Sequence, residues 1–344
     1  MSRVRLIANI ILGGGLLGLS GFGIAALSGV GHRWIDILAQ FAAPVLIAAI
    51  AGLALCLALR LWPAAIAGAA TVLVLLAAVW PQWTPPRGTP VAGSPTLRVY
   101  SANVWARNTD VDAMRRSIVD ADADIVILIE VGDVPAARID ALLAGYPHRA
   151  IQGRVDRPTG PARSLIASRH PIRARLPEPP DGLSTVGAVV ETPLGPINVF
   201  GVHLTRPWPF QYQWGQITQV MALAERRRAA PDLPVIAAGD FNSASSARIG
   251  RQVKADMGLV PAPGWPGTWP AVLPPALGMT IDQAWRSPDL ALTSRRLGRP
   301  TGSDHRPVIT EFARAADQKR PSGAERSEEP GIQGRDHSQP SGAG

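Results

Sequence analysis

The sequence predicts an α+β fold, layered as αββα, set behind three transmembrane helices. Three observations carry this. The first 80 or so residues are almost free of charge, whereas the rest has the composition of a soluble domain. From Leu97 onward, β-rich apolar segments are interspersed with helical ones, the mixture expected of a layered α+β domain. Polar side chains gather at the ends of these apolar segments. The boundaries read as a membrane domain over 1–83, a linker over 84–95, a layered domain over 96–315 and a tail over 316–344.

Residues 6–30, 37–59 and 63–80 are apolar stretches, each close to the roughly 20 residues that cross a hydrocarbon core. Trp34, Trp62, Trp80 and Trp83 flank them where an interfacial aromatic belt sits. Gly14 and Gly18 make a small-xxx-small spacing that suits helix packing. Arg3 and Arg5 precede the first stretch and Arg60 separates the second from the third, while Arg33 opposes them between the first and second. The balance puts the N-terminus inside and everything after Trp80 outside. A cleaved signal peptide is the alternative for the first stretch, but its apolar region is too long and two more follow. The expected location is therefore the inner (plasma) membrane, multi-pass, with the later domain periplasmic or extracellular.

Residues 81–95 are rich in Pro, Gly and Thr, as in a linker. "LRVYSANVW" alternates and reads as a strand; residues 110–120 read as a helix, and "DIVILIEV" as a buried strand. "RSLIASRHPI", "GAVVETPLGPINVFGVHLT" and "LPVIAAGDFN" supply more strands, the second with a hairpin at Pro193–Gly195. Residues 211–228 read as an amphipathic helix, and "IDQAWRS" and "PVITEFAR" as closing strands. The tail has no apolar period and is expected to be disordered.

The net charge is +8, nearly all of it from Arg, and there is a single cysteine, Cys56. A basic balance favours anionic partners such as phosphates, nucleic acid or lipid headgroups, although an Arg-rich composition gives the same total. One cysteine excludes an intrachain disulfide and a Cys-based metal site.

The chemistry lies at the strand ends. Asn103 ends "YSAN", Glu130 ends "IVILIE", and His203 follows "NVFGV". Asp240 and Asn242 follow "VIAAG", Asp282 begins "IDQAW", and Asp304 and His305 precede "RPVITEF". Taken singly, each has a plainer reading: a turn Asn, an exposed carboxylate, a core histidine, a helix cap. Together, oxygen ligands without cysteine suit a hard cation, Mg²⁺ or Mn²⁺. Such an ion neutralises phosphate oxygens and supports attack by water, and histidines beside Asp suit proton transfer.

The segments "SANVW", "ILIEV", "VHLTRP", "AAGDFNS", "IDQAW" and "GSDHRPV" resemble, in order, the signature segments of the endonuclease/exonuclease/phosphatase superfamily, with its DNase I-like fold. The resemblance covers residues 97–314. It implies a four-layer αββα sandwich with the site at one end of two sheets. It further implies Glu130 as the main metal-ligand carboxylate, Asn103 as an additional metal or phosphate contact, and Asp304 as a metal-side carboxylate. Asp240 would hold or activate the attacking water, Asn242 would donate to a phosphate oxygen, and His305, oriented by Asp282, would contact phosphate or act as a base. His203 falls where the nuclease and sphingomyelinase branches carry a second catalytic histidine. Three spans ahead of such a domain resemble bacterial membrane-anchored VanJ-like members, which place it outside the cytoplasm.

The expected function is a membrane-anchored, Mg²⁺- or Mn²⁺-dependent hydrolase of phosphate ester or anhydride bonds, its substrate lipid-linked or nucleic acid. No protein partner is predicted. A membrane-tethered nuclease is the first alternative, for which the Arg226–Arg228 and Arg295–Arg296 runs are weak support. A non-catalytic envelope binding module is the second. Trp208, Phe210, Trp265 and Trp269 are loop aromatics placed to dip toward lipid or to pack within their loops.

Overall fold

The computed structural model describes residues 2–152, 163–177, 184–207 and 213–316. The tail from residue 317, Trp208 and Phe210 lie outside the described residues.

Four helices come first: α1 (Arg3–Ser28), α2 (Arg33–Gln40), α3 (Ala42–Ala58) and α4 (Trp62–Trp83). α1 and α4 are each long and apolar enough to cross a membrane, and α2 with α3 is a third candidate if the pair, bent by 54°, counts as one span. α1 packs along α4. They are tied where the Asn9 side-chain oxygen accepts from the Ala64 amide at 3.1 Å and, further along, where the Thr71 hydroxyl donates to the Leu16 carbonyl at 2.9 Å. The close approach uses Gly23, where a Cβ would sit 2.9 Å from Val74 Cγ1. Gly14 and Gly18, the pair the spacing suggested for packing, face open space instead.

The second apolar stretch is not one straight helix. Asp36 and Gln40, four residues apart and so on one face of α2, both reach into the following domain, where Asp36 is buried. That contact turns α2 away from the axis of α3. Residues 86–91 then run along the edge of the domain, with the Val91 amide donating to Arg314 and the Arg286 guanidinium to the Pro86 carbonyl.

The domain follows as β1 (Leu97–Asn103), α5 (Val111–Ala121), β2 (Ile125–Ile129), α6 (Asp133–Ala137), α7 (Ile139–Leu142), β3 (His148–Gln152), β4 (Ser164–Ser168), β5 (Ile172–Arg175), β6 (Ser184–Thr192), β7 (Gly195–His203), α8 (Gln213–Ala229), β8 (Val235–Asp240), α9 (Arg248–Met257), β9 (Val260–Pro261), β10 (Asp282–Arg286), β11 (Leu290–Leu297) and β12 (Val308–Arg314). Two six-stranded sheets form, ordered β11-β12-β1-β2-β4-β3 and β5-β6-β7-β8-β10-β9. Their facing sides share one apolar core that includes Val99, Ile127 and Phe312 from the first sheet and Val199, Ile236 and Ala284 from the second. α5 and α7 cover the outer face of the first sheet through Met114, Ile118 and Leu142, and α8 and α9 that of the second through Val220, Leu223 and Val253. The result is helix, sheet, sheet, helix: a DNase I-like α+β fold, as the sequence predicted. "RSLIASRHPI" holds β4 and leads into β5, which belongs to the other sheet; the chain crosses between the sheets at Arg169–Pro171.

Candidate active site

Sheet topology explains why distant polar residues meet. β1 pairs parallel with β2, and β7 parallel with β8, so each pair ends at the same edge of its sheet. β10 runs antiparallel to β8 and β12 antiparallel to β1, so both begin there. Asn103 ends β1, Glu130 directly follows β2, His203 ends β7 and Asp240 ends β8. Asp282 opens β10 in register with Asp240, and Asp304 and His305 lead into β12.

Asn103 is the bridge between the sheets. Its amide donates to Glu130 Oε1 at 2.9 Å and to Asp240 Oδ2 at 3.1 Å, while its own side-chain oxygen accepts from the Trp105 amide at 2.9 Å. His203 Nε2 lies 3.3 Å from Glu130 Oε1. His305 Nδ1 is 2.9 Å from Asp282 Oδ2, and its Nε2 is 3.9 Å from Asp240 Oδ2. The His305 loop is fixed from behind, because the Ser303 hydroxyl donates to the Asn103 carbonyl at 2.8 Å and accepts from the His305 amide at 3.1 Å.

Asn242 acts on Asp240. Its backbone amide donates to Asp240 Oδ1 at 2.8 Å, and its side-chain amide to Oδ2 at 3.2 Å and to the Leu204 carbonyl at 2.8 Å. Asn242, Glu130 and Trp105 all have positive φ (46°, 55° and 60°). Such backbone is tolerated by Asn but uncommon for Glu or Trp, and it clusters at functional sites. One residue before Asp240, Gly239 has φ +146°, and a Cβ there would lie 2.0 Å from the Val202 carbonyl oxygen. Only glycine lets β8 pass β7 closely enough to deliver Asp240.

Burial sets the electrostatics. It raises the Asp240 carboxyl to about 7; His305 opposes the rise and the Asp282 and Glu130 carboxylates add to it. Burial also works against the charged form of His305, but the Asp282 carboxylate overrides it, with Asp240 and Asp304 helping, and the ring is raised to about 10. At His203 burial prevails and lowers the imidazole below its ordinary value, although Glu130 pulls the other way.

Seven of the eight residues singled out from sequence therefore converge. Asp304 is outside the ligand groups: it sits exposed at the rim of the same cavity, where its carboxylate accepts from the Trp269 indole N–H at 3.0 Å. Among the described residues, two groups place ligand atoms within 4.8 Å of one another: Glu130, His203 and Asp240; and Asp240, Asp282 and His305. Asp240 belongs to both. This donor set of carboxylate oxygens and imidazole nitrogens fits a divalent cation, and a buried cluster of carboxylates in which one is pushed toward neutrality is where a cation would be most strongly favoured.

The cavity in front of the site, about 420 Å³, is lined not only by Glu130, Asp240, Asn242, Asp304 and His305 but also by Trp34, Ile37, Gln40 and Phe41 of the N-terminal region. Sequence reasoning missed this contribution. The one sign of it was the polar pair Asp36 and Gln40 inside an apolar run. The Asp36 carboxylate accepts from the Ser243 hydroxyl at 3.0 Å and the Gln40 amide donates to the Asn242 carbonyl at 2.9 Å. Of the loop tryptophans, Trp265 packs against Trp83 with ring centres 6.3 Å apart.

Comparison with known proteins agrees with this fold. No curated protein matches the sequence. Solved structures do match in fold. The human Nocturnin catalytic domain with bound sulfate anion is 18% identical and covers 67% of this chain and 100% of its own, with a TM-score of 0.51. An endonuclease/exonuclease/phosphatase from Bacteroides vulgatus is 16% identical and covers 64% and 99%, with a TM-score of 0.52. A mannosyl-6-phosphatase from Bacteroides thetaiotaomicron is 18% identical and covers 63% and 99%, with a TM-score of 0.50. The sequence pattern of one family matches residues 100–305, from the middle of β1 to the histidine at the centre of the site. The chain belongs to the endonuclease/exonuclease/phosphatase family.

Proposed function

We propose that this protein is a membrane-anchored, divalent-metal-dependent phosphoesterase whose catalytic domain works outside the cytoplasm. The observation that carries the proposal is Asp240, shared by two ligand-bearing groups at the meeting point of both sheets. Neighbours of the same fold include a sugar phosphatase and a domain that holds sulfate, which supports a tetrahedral oxyanion as the group recognised.

Glu130, His203 and Asp240 would hold Mg²⁺ or Mn²⁺, with Asn103 keeping Glu130 and Asp240 at fixed separation; Asp304 would approach from the rim. Bound there, the ion would supply positive charge to phosphate oxygens and ease deprotonation of water. Asp282 accepts from His305 Nδ1, so His305 Nε2 faces the cavity. A protonated His305 donates to a phosphate oxygen and stabilises charge that grows in the transition state. Asp240, held by two hydrogen bonds from Asn242 and lining the cavity, is placed to orient the attacking water and take its proton. Asn242 thus orients Asp240 in this arrangement, and its side-chain amide turns to phosphate only by releasing one of its present acceptors.

Two membrane-length helices, or three spans if the bent pair α2 and α3 is one crossing, fit the anchored reading. Asn9 meets Ala64 at one end of the bundle, while Gln40 and Gln82 meet the catalytic domain at the other. If α2 and α3 count as one crossing, the N-terminus and the catalytic domain lie on opposite sides, as the Arg distribution requires. This is the layout of the membrane-anchored VanJ-like members. Nuclease action is less well supported, since Arg226 donates to the Thr185 and Pro177 carbonyls and Arg295 to that of Pro266. Purified full-length protein should release phosphate from phosphate esters only with Mg²⁺ or Mn²⁺. Full turnover by both Glu130→Gln and Asp240→Asn, or in excess chelator, would overturn the proposal.

A further inference from the structure

We infer that the site is built for an amphiphile: a phosphate or pyrophosphate ester of a long hydrocarbon chain, with the chain seated on a wall that α2 and the residue after it contribute. This rests on the phosphoesterase reading and deepens it. Water adds across a P–O bond, its hydroxyl going to phosphorus and its remaining proton to the leaving oxygen, so no co-reactant is needed.

The cavity has two unlike sides. The floor is Glu130, Asp240 and His305; the wall is Trp34, Ile37 and Phe41 from the N-terminal region, completed by Met279 and Ile281 of the catalytic domain. Both sides belong to one continuous space of about 420 Å³, far more than a phosphate group fills. An apolar wall facing a charged floor matches a ligand with a charged head and an apolar body.

The wall is also in the right place. α2 lies between two segments that reach toward the membrane, α1 and α3, and is docked on the catalytic loop through Asp36 and Gln40. Met279 and Ile281 are buried, but Trp34 and Phe41 remain 46% and 38% exposed at the cavity mouth. Leu38, one turn after Trp34 on α2, is likewise exposed. A wall whose task was only to exclude water would close over the catalytic groups. This one leaves Trp34 and Phe41 part-exposed beside the catalytic groups, where an aliphatic chain can lie. Arg206 lines the same cavity, adding positive charge where the head would enter.

The test uses the full chain in phosphatidylcholine nanodiscs with Mn²⁺ and n-alkyl phosphates and pyrophosphates from ethyl to dodecyl, alongside glucose 6-phosphate and an oligonucleotide. Each methylene buried on the wall should raise kcat/KM by up to about fourfold until the cavity is filled. In Ile37→Ser and Phe41→Ser, both at partly exposed positions, the dodecyl-to-ethyl ratio of kcat/KM should fall at least about tenfold. A second readout needs no turnover: in metal-free protein, bromododecyl phosphate should quench tryptophan fluorescence more than bromododecanol does, and the excess should fall more in Trp34→Phe than in Trp105→Phe. A flat chain-length series from an active enzyme, a preference for the oligonucleotide or glucose 6-phosphate, or quenching unaffected by Trp34→Phe would each overturn the inference. An enzyme inactive on every ester, yet quenched at Trp34 by the phosphate amphiphile, would uphold the amphiphile site and overturn the hydrolase reading instead.

Discussion

Gln40 and Asn242 lie 202 residues apart in sequence, yet the side-chain amide of one donates to the backbone carbonyl of the other at 2.9 Å. Gln216 donates to the same carbonyl at 3.1 Å, so the turn that carries Asp240 and Asn242 is held from two directions. One of those directions is the N-terminal helical region. Gln40→Ala should lower kcat by roughly two- to tenfold, the range of one hydrogen bond, with little change in Tm. An excised domain beginning at residue 96 should show a larger loss, because Ala244 and Ala247 also pack among the N-terminal helices. Equal specific activity of the excised and full-length proteins on a soluble ester would sever this link.

Asp240 is the residue whose loss should cost most. Asp240→Asn and His305→Ala should each reduce turnover by roughly 10²–10⁴-fold, the scale of positioned proton transfer. Glu130→Gln should in addition weaken Mn²⁺ binding in calorimetry, which His305→Ala should affect less.

The His305–Asp282 pair gives a pH signature. In metal-free protein, NMR should show the His305 ring protonated up to about pH 10, and Asp282→Asn should bring it back toward the ordinary imidazole range. The folded value is raised, so the pair's stabilisation is fully present below the unfolded pKa of about 6.5. It is lost as pH rises through about 10. Asp282→Asn should therefore lower Tm at pH 6 more than at pH 10.

Gly239 predicts a backbone effect distinct from chemistry. With φ at +146° and a Cβ position 2.0 Å from the Val202 oxygen, Gly239→Ala must push β7 and β8 apart. A loss of more than about 2 kcal/mol is expected, read as a lowered denaturant midpoint, with activity falling as Asp240 shifts.

Topology is open to a direct measurement. A phosphatase reporter placed after Trp83 should be active outside the cytoplasm, and one placed at Arg60 should be silent. The reverse pattern would overturn the extracytoplasmic assignment.

Much of the domain was legible because its strands are short, apolar and bounded by polar residues. Buried β2, with "IVILI", and β8, ending in Asp240, announce both a strand and its functional end. α5 was marked by Asp110, whose side chain caps the Ala113 amide at 2.8 Å. β3, "HRAIQ", is half-polar and gave no signal, and β11 hid in the Arg-rich run that ends at Leu297. The docking of α2 was illegible for a different reason. Periodicity reports which face of a helix is apolar, but not that its polar face meets a loop 200 residues away. The same limit separated Asp304 from the converging seven: adjacency to His305 says nothing of Trp269, which holds its carboxylate.

The apolar wall of Trp34, Ile37 and Phe41 beside the catalytic groups has a kinetic consequence for the amphiphile inference. An enzyme fed from a leaflet along such a wall would meet its substrate by lateral diffusion in a sheet rather than by collision in a volume. The governing variable becomes the mole fraction of phosphate lipid in the leaflet. Dilution of the whole suspension should then leave the rate per enzyme unchanged, while dilution of the leaflet with inert lipid should slow it. Inorganic phosphate departs into water and the lipid product, an alcohol from a phosphate ester or a lipid phosphate from a pyrophosphate ester, stays in the leaflet, so inhibition by product should build up in two dimensions with only one of the two.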